Sequence, residues 1–180
     1  MDSVFLSYVA GLVDGEGSFN IQLSVRDYKG IENLRFNPRM CIGMKADAEE
    51  VKLLDSIGKA FGLNVYHSNV GTDHHIIRIM GTNVDVNISF TNLILPYLKL
   101  KKEKAIKFLR VCELIKRGRD ARYKDMRNFS KEKVYTKEEM IEIIEIATTM
   151  NIGKQSTRFR DSQSRNKQYF LDYINKLYPS

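Results

Sequence analysis

The sequence has little with which to tie itself together by covalent or metal bonds. Cys41 and Cys112 are its two cysteines, far apart and without a close His or Cys partner. That spacing excludes a disulfide framework and a cysteine-based zinc site, and it points to a reducing compartment. The three histidines, His67, His74 and His75, have no Cys or carboxylate neighbours at metal-ligand spacing. No apolar run reaches the length of a membrane span, and the first residues lack the charged and apolar regions of a secretory signal. A soluble, intracellular protein of the cytoplasm or an organelle is expected, with no membrane partner. No internal sequence repeat is evident.

With 180 residues and 43% hydrophobic content, the chain is long enough to bury one real core and short for two full domains. We read it as a single domain over 1–180, with a core at 1–117 and a basic helical extension at 118–180. The net charge of +7 is unevenly spread: from Lys116 to Lys137 nine Lys or Arg face three acidic residues, and from Lys154 to Lys167 five face one. The remainder is slightly acidic, so the positive charge is concentrated where a polyanion would meet it.

The most informative stretch is Tyr8-Val9-Ala10-Gly11-Leu12-Val13-Asp14-Gly15-Glu16-Gly17-Ser18-Phe19. Asp2 or Ser3 caps a helix running to about Asp14, and Gly15 and Gly17 are expected to end it in conformations that other residues resist. Ser7, Gly11 and Gly15 are spaced four apart and share one face with Ala10 beside them, where a second helix can approach closely.

From Ser18 to Arg26 the pattern alternates. Phe19, Ile21, Leu23 and Val25 point one way, and Ser18, Asn20, Gln22, Ser24 and Arg26 the other. A second alternating run turns Phe36, Met40, Ile42 and Met44 inward and Arg35, Asn37, Arg39 and Cys41 outward, so the two runs form a long hairpin. The outward face carries amides, hydroxyls and guanidinium groups rather than carboxylates, the donor-rich chemistry that meets base edges and phosphates. A second helix begins near Asp47, with Glu50 completing a capping box, and ends at Gly62. Strands follow at about Leu63 to Val70 and His74 to Gly81. In the latter Ile77 and Ile79 face the core and His74, Ile76 and Arg78 face out, whereas in the former the periodicity leaves the facing open.

A short helix at Asn87 to Leu95 stops at Pro96, and a longer one from Lys102 to Lys116 closes at Gly118. Thr136 and Glu139 form a capping box opening another helix, and a last one covers about Asn166 to Leu177. The class is α+β: a duplicated αββ unit giving a four-stranded antiparallel, saddle-shaped sheet with helices on one face, plus C-terminal helices.

Residues 9–17 closely resemble the motif that names the LAGLIDADG homing endonucleases, one residue at each of its nine positions, and Leu95-Pro96-Tyr97-Leu98-Lys99-Leu100-Lys101 is similar to the family again. The order of elements agrees to about Cys112. The resemblance implies a site-specific endonuclease of the intron-encoded kind, hydrolysing double-stranded DNA across the minor groove of a long pseudo-palindromic site. One motif per chain implies a homodimer joined through Ser7, Ala10, Gly11 and Asp14. It further implies that Glu16 and the Gly15 carbonyl hold Mg²⁺, with Mn²⁺ or Ca²⁺ able to occupy the site, and that Lys101 stands beside the scissile phosphate.

Two positions depart from the family's pattern. Glu16 stands where Asp is common, and Met44 lies near a position that is often polar, so Lys45 is an alternative for ordering water. The expected DNA contacts are Ser18, Asn20, Gln22, Ser24, Arg26, Arg35, Asn37, Arg39, Cys41, His67, Asn69, His74, Ile76 and Arg78, with Lys154, Arg158 and Arg160 on phosphates. Two other readings fit a basic surface: an RNA-binding intron-splicing cofactor, and a non-cleaving DNA-binding regulator on the same scaffold.

Overall fold

The computed structural model describes residues 2–28, 31–124, 135–150 and 167–178. Helix α1 (Ser3–Glu16) leads into strands β1 (Gly17–Tyr28) and β2 (Ile31–Lys45); α2 (Ala48–Phe61), β3 (Asn64–Ser68), β4 (Ile76–Gly81) and α3 (Val84–Ile94) follow. The remaining helices are α4 (Lys102–Lys124), α5 (Lys137–Met150) and α6 (Lys167–Leu177). The expected αββαββα order is what the chain adopts. Its four strands form one sheet in the order β1-β2-β4-β3, so the two hairpins meet through their second strands. The arrangement is the α+β fold expected.

Two compact units divide the chain: Met1–Phe19 with Pro38–Cys112, and Asn20–Asn37 with Glu113–Ser180. In the first, Val9, Ala10 and Val13 of α1 are fully buried, as are Phe19, Met40, Ile42, Ile77 and Ile79 of the strands. Phe19 lies against Phe108 of α4 with ring centroids 5.1 Å apart, and Phe61 meets Phe90 edge-on at 4.9 Å. Burying a side chain of this size contributes about 1.5–3 kcal/mol. In the second unit Met140, Ile144, Phe170 and Ile174 of α5 and α6 form a cluster on which Leu23, Val25, Leu34 and Phe36 of the hairpin pack. The apolar alternation of the hairpin thus serves two cores: Phe19, Met40 and Ile42 are fully buried in the first unit, and Leu23, Val25, Leu34 and Phe36 pack on the C-terminal helices in the second.

Asp2 caps α1, its carboxylate accepting the Phe5 N–H at 2.8 Å. The Thr136–Glu139 capping box is reciprocal, with Thr136 N–H donating to Glu139 at 2.9 Å and Glu139 N–H to the Thr136 hydroxyl at 3.2 Å. Gly62 ends α2 at φ +67°, a conformation that favours glycine.

Three expectations fail. Gly15 and Gly17 do not have positive φ; among the described residues the glycines that do are Gly62 and Gly71. Gly17 is extended, and its need for glycine is steric, because a Cβ there would lie 2.6 Å from the Val13 carbonyl oxygen. Asp47 sits at the N-cap of α2 without a side-chain cap bond; its carboxylate lies 3.7 Å from Lys45 Nζ instead. Gly118 does not stop α4, which continues to Lys124. A Cβ at Gly118 would meet the Tyr135 ring at 2.6 Å, so this glycine serves close packing rather than termination.

Candidate active site

Helix α1 ends badly by its own chemistry. Its last turn holds Asp14 and Glu16 and no basic residue, although the carbonyl end of a helix carries partial negative charge and favours cations. The compensation comes from the turn before α4. Lys101 Nζ donates to three successive carbonyls at the end of α1: Val13 at 2.9 Å, Asp14 at 2.7 Å and Gly15 at 3.2 Å. Ala105 N–H bonds to the Lys101 carbonyl at 2.9 Å, so Lys101 is the residue from which α4 starts.

Asp14 completes this join. Its carboxylate accepts the Lys99 N–H at 2.7 Å and the Lys101 N–H at 2.9 Å. Burial raises its pKa, but the amides of Lys99, Lys101 and Leu100 and the Lys101 charge outweigh this, leaving it below the ordinary aspartate value. Asp14 is therefore a built-in anion that fixes the Leu98–Lys101 turn against α1, and its carboxyl is turned inward on its own chain. The sequence reading had put it in a helix–helix interface. Ala10 departs from that reading too: it is fully buried in the core. Ser7, Gly11 and Gly15 are exposed, and a Cβ built on either glycine meets nothing within 4 Å. Val4 and Tyr8, 78% and 50% exposed, extend this uncovered surface of α1.

Glu16 is exposed at the helix end, one residue from the carbonyl that Lys101 reaches. Among the described residues no three His, Cys, Asp or Glu side chains converge on a metal site. What the chain offers is an exposed carboxylate and a helix-end carbonyl, the hard oxygen donors that suit Mg²⁺ or Ca²⁺ when phosphate and water supply the remaining positions.

The sheet has its own polar surface. In the first unit Arg78 of β4 stands opposite Gly43 of β2 and Tyr66 of β3, and paired residues of antiparallel strands share a face. Cys41 and Lys45, opposite Met80 and Ile76, belong to that face, as do Arg39, which is exposed, and Ser68. Arg78 lies across Gly43, its Cγ 3.1 Å from where a Cβ would stand, and its Nη1 donates to Ser68 Oγ at 2.7 Å. Met44 pairs with Ile77 on the opposite face, away from Lys45.

His67, an expected DNA contact, does not share the face of Arg78. It pairs with Ile77, as Val65 does with Ile79, and so shares the helix-side face; its Nδ1 lies 3.0 Å from His75 Nε2. Tyr66, opposite Arg78, is a residue of β3 that shares the polar face. A hairpin register was needed to find it, since periodicity over so short a strand fits either facing. Asn69 and His74 fall in the turn between β3 and β4 rather than on a strand. Asn69 is left-handed at φ +56°, and its Nδ2 donates to the His74 carbonyl at 3.2 Å. Ile76 is therefore the first residue of β4, two positions later than the alternation suggested.

Among the outward positions of the long hairpin, Asn20, Gln22 and Arg35 are exposed and Ser18 and Asn37 half-buried. Ser24 differs: its hydroxyl is buried without a hydrogen-bond partner among the described residues. Lys154, Arg158 and Arg160, and the side chain of Arg26, lie outside what the structure describes.

Residues 9–115 match the family model described as LAGLIDADG endonuclease, and the matched region holds the α1 carbonyls, Asp14, Glu16 and Lys101. The chain belongs to the LAGLIDADG endonuclease family. It is accordingly an endonuclease, an enzyme that hydrolyses phosphodiesters within a nucleic acid. Solved structures agree in fold. One is the homing endonuclease I-CvuI in complex with its target in the presence of Ca, at 18% identity and a TM-score of 0.67, covering 96% of this chain and 95% of that one. Another is the archaeal intron-encoded homing endonuclease I-Vdi141I complexed with DNA, at 15% identity and 0.68, covering 98% of each. A third is the group I intron-encoded I-CeuI complexed with DNA, at 17% identity and 0.68, covering 96% of this chain and 77% of the other. No curated protein matches the chain. Among the described residues no helix is long and apolar enough to cross a membrane.

Proposed function

We propose that this LAGLIDADG protein is a site-specific double-strand DNA endonuclease that works as a homodimer and requires a divalent cation, Mg²⁺ in the first place. The observation that carries the reading is the junction of α1 with the turn before α4, where Lys101 reaches the Gly15 carbonyl from 86 residues away and brings a cation beside the exposed Glu16. A surface used only for binding phosphate gains nothing from an exposed carboxylate at its centre. A hydrolase does, because a carboxylate of this kind holds a metal.

In this reading Glu16 and the Gly15 carbonyl hold the metal, which supplies an activated water and charge stabilisation at the phosphate. Lys101 places positive charge where the pentacovalent phosphate gains negative charge. Asp14 holds the backbone of Lys101 in place for that task. The uncovered row of Ser7, Gly11 and Gly15 on α1 admits a second copy of the helix at close range, which would bring two Glu16 turns together, one for each strand. Arg35, Arg39, Asn20, Gln22 and Arg78 read bases in this scheme, with Tyr66 added and His67 left out. The complexes of I-CvuI, I-Vdi141I and I-CeuI with DNA support the choice of substrate, and the presence of Ca with I-CvuI on its target, or of Mg with DNA not cleaved, supports a divalent cation.

The test uses a duplex built from the joined DNA flanks of the protein's own reading frame. Single-turnover cleavage and equilibrium binding are measured on that duplex for the wild type and Glu16→Gln. We expect binding to persist, similar or slightly tighter, and Mg²⁺-dependent cleavage to be nearly abolished. Glu16→Gln cleaving at the wild-type rate would place the metal elsewhere. Binding without cleavage by the wild type itself would instead favour a regulator or an RNA-splicing cofactor.

A further inference from the structure

The oxygen that the endonuclease reading assigns to the metal is not idle in the protein alone. Lys101 Nζ already donates to it at 3.2 Å, together with the Val13 oxygen at 2.9 Å and the Asp14 oxygen at 2.7 Å. An ammonium has three donors, so this geometry uses one on each of three carbonyls. A Mg²⁺ at about 2.1 Å from the Gly15 oxygen would stand no more than about 5 Å from the lysine nitrogen, even on the far side of that oxygen. At that range two cations next to a carbonyl-rich helix end oppose each other strongly.

We infer that Lys101 is a stand-in cation: in DNA-free protein its ammonium holds the helix-end carbonyls and keeps the metal out, and a DNA phosphate draws it off so that the metal enters with the substrate. The inference rests on the assignment of Glu16 and Gly15 to the metal. The structure supplies both halves of such a device. The backbone of Lys101 is fixed, since Asp14 accepts the amides of Lys99 and Lys101. Its ammonium sits on a flexible four-carbon stem, so it can leave the carbonyls without unfolding the turn. A phosphate offers it a full negative charge in exchange for partial ones. Linkage then requires that DNA and metal strengthen each other's binding. A nuclease with such a lock would not carry a loaded centre while free of its site.

The experiment measures Ca²⁺ binding by calorimetry and Tb³⁺ binding by tyrosine-sensitised luminescence, on the full chain without DNA. Lys101→Met should bind either ion at least about tenfold more tightly than wild type, the scale expected from releasing charge-assisted hydrogen bonds. Lys99→Met removes an equal charge from an exposed position on the same turn and should change affinity less than about threefold. Adding Glu16→Gln to Lys101→Met should abolish the gain. An unchanged affinity in Lys101→Met, with binding that still needs Glu16, overturns the stand-in role and leaves the metal assignment intact. An equal gain in Lys99→Met also overturns it, since general charge removal would then suffice. A gain that survives Glu16→Gln overturns both the inference and the metal assignment. Lys101→Gln, also neutral, takes the place of Lys101→Met if circular dichroism shows that the latter does not fold.

Discussion

Gly17 is the residue whose replacement tests the geometry of this site most directly. Its φ of −79° and ψ of 160° suit any residue, so Gly17→Ala carries no backbone strain and should be mild if conformation were all that mattered. The added methyl, however, would lie 2.6 Å from the Val13 oxygen, 2.7 Å from Val13 Cα and 2.9 Å from Val13 Cγ1. Val13 is fully buried, and two of those atoms are backbone, so the only relief is to part the end of α1 from β1. The same Val13 oxygen accepts the Gly17 N–H and the Lys101 ammonium, and both bonds would stretch. Overpacking of this kind costs about 1–3 kcal/mol, and weakening two hydrogen bonds adds about 1 kcal/mol each. A loss of about 3–5 kcal/mol on urea unfolding is expected. Because the displaced segment holds Glu16, a shift of about 1 Å should also lower single-turnover cleavage about a hundredfold. An alanine variant within about 0.5 kcal/mol of wild type and with full activity would refute the reasoning.

The remaining predictions concern the same helix. Gly11→Leu meets open space in the single chain, so the chain should stay folded, with its stability equal or higher by about 1 kcal/mol, while sedimentation should show loss of the proposed dimer. A dimer that persists unchanged would remove α1 as its interface. Asp14 has a folded-state pKa below its ordinary value. Its stabilising contribution is therefore complete above the unfolded value of about 3.9 and lost as pH falls through the lower folded one. Asp14→Asn should lower stability at neutral pH and shrink the loss seen in acid below about pH 4, which thermal melts across that range would reveal. An identical acid profile in the variant would show that Asp14 is not the titrating anchor.

Much of this architecture was legible in single residues. Asp2, Thr136, Glu139 and Gly62 act within a few positions of themselves, through caps and a left-handed turn, and their effects follow from the local sequence. The alternation of Phe19, Ile21, Met40 and Ile42 reads correctly because a strand places neighbours on opposite faces wherever it lies. The misreadings share the opposite property. Gly118 has the look of a helix terminator and is instead the seat of the Tyr135 ring; nothing within α4 announces that ring. His67 and Tyr66 are adjacent on a short exposed strand, and only pairing with β4 decides which of them joins Arg78.

The active site divides along the same line. The nine residues from Val9 to Gly17 are enough to name the family, because their spacing sets a helix, an acidic turn and a strand start by local chemistry. Where Lys101 goes is a different matter. The sequence marks it as a basic residue at a family position, but its three carbonyl partners and the anchoring of its turn by Asp14 arise between residues 85 to 88 apart in sequence. Ala10 shows the same division: a helical wheel puts it beside the small-residue face, and the core takes it. Residue type and spacing determine which groups the chain has to offer and on which side of an element they fall. Packing between distant segments decides which of those groups are spent inside the protein and which remain for a ligand, because each buried amide and carbonyl must find a partner and the nearest one is often far away in sequence.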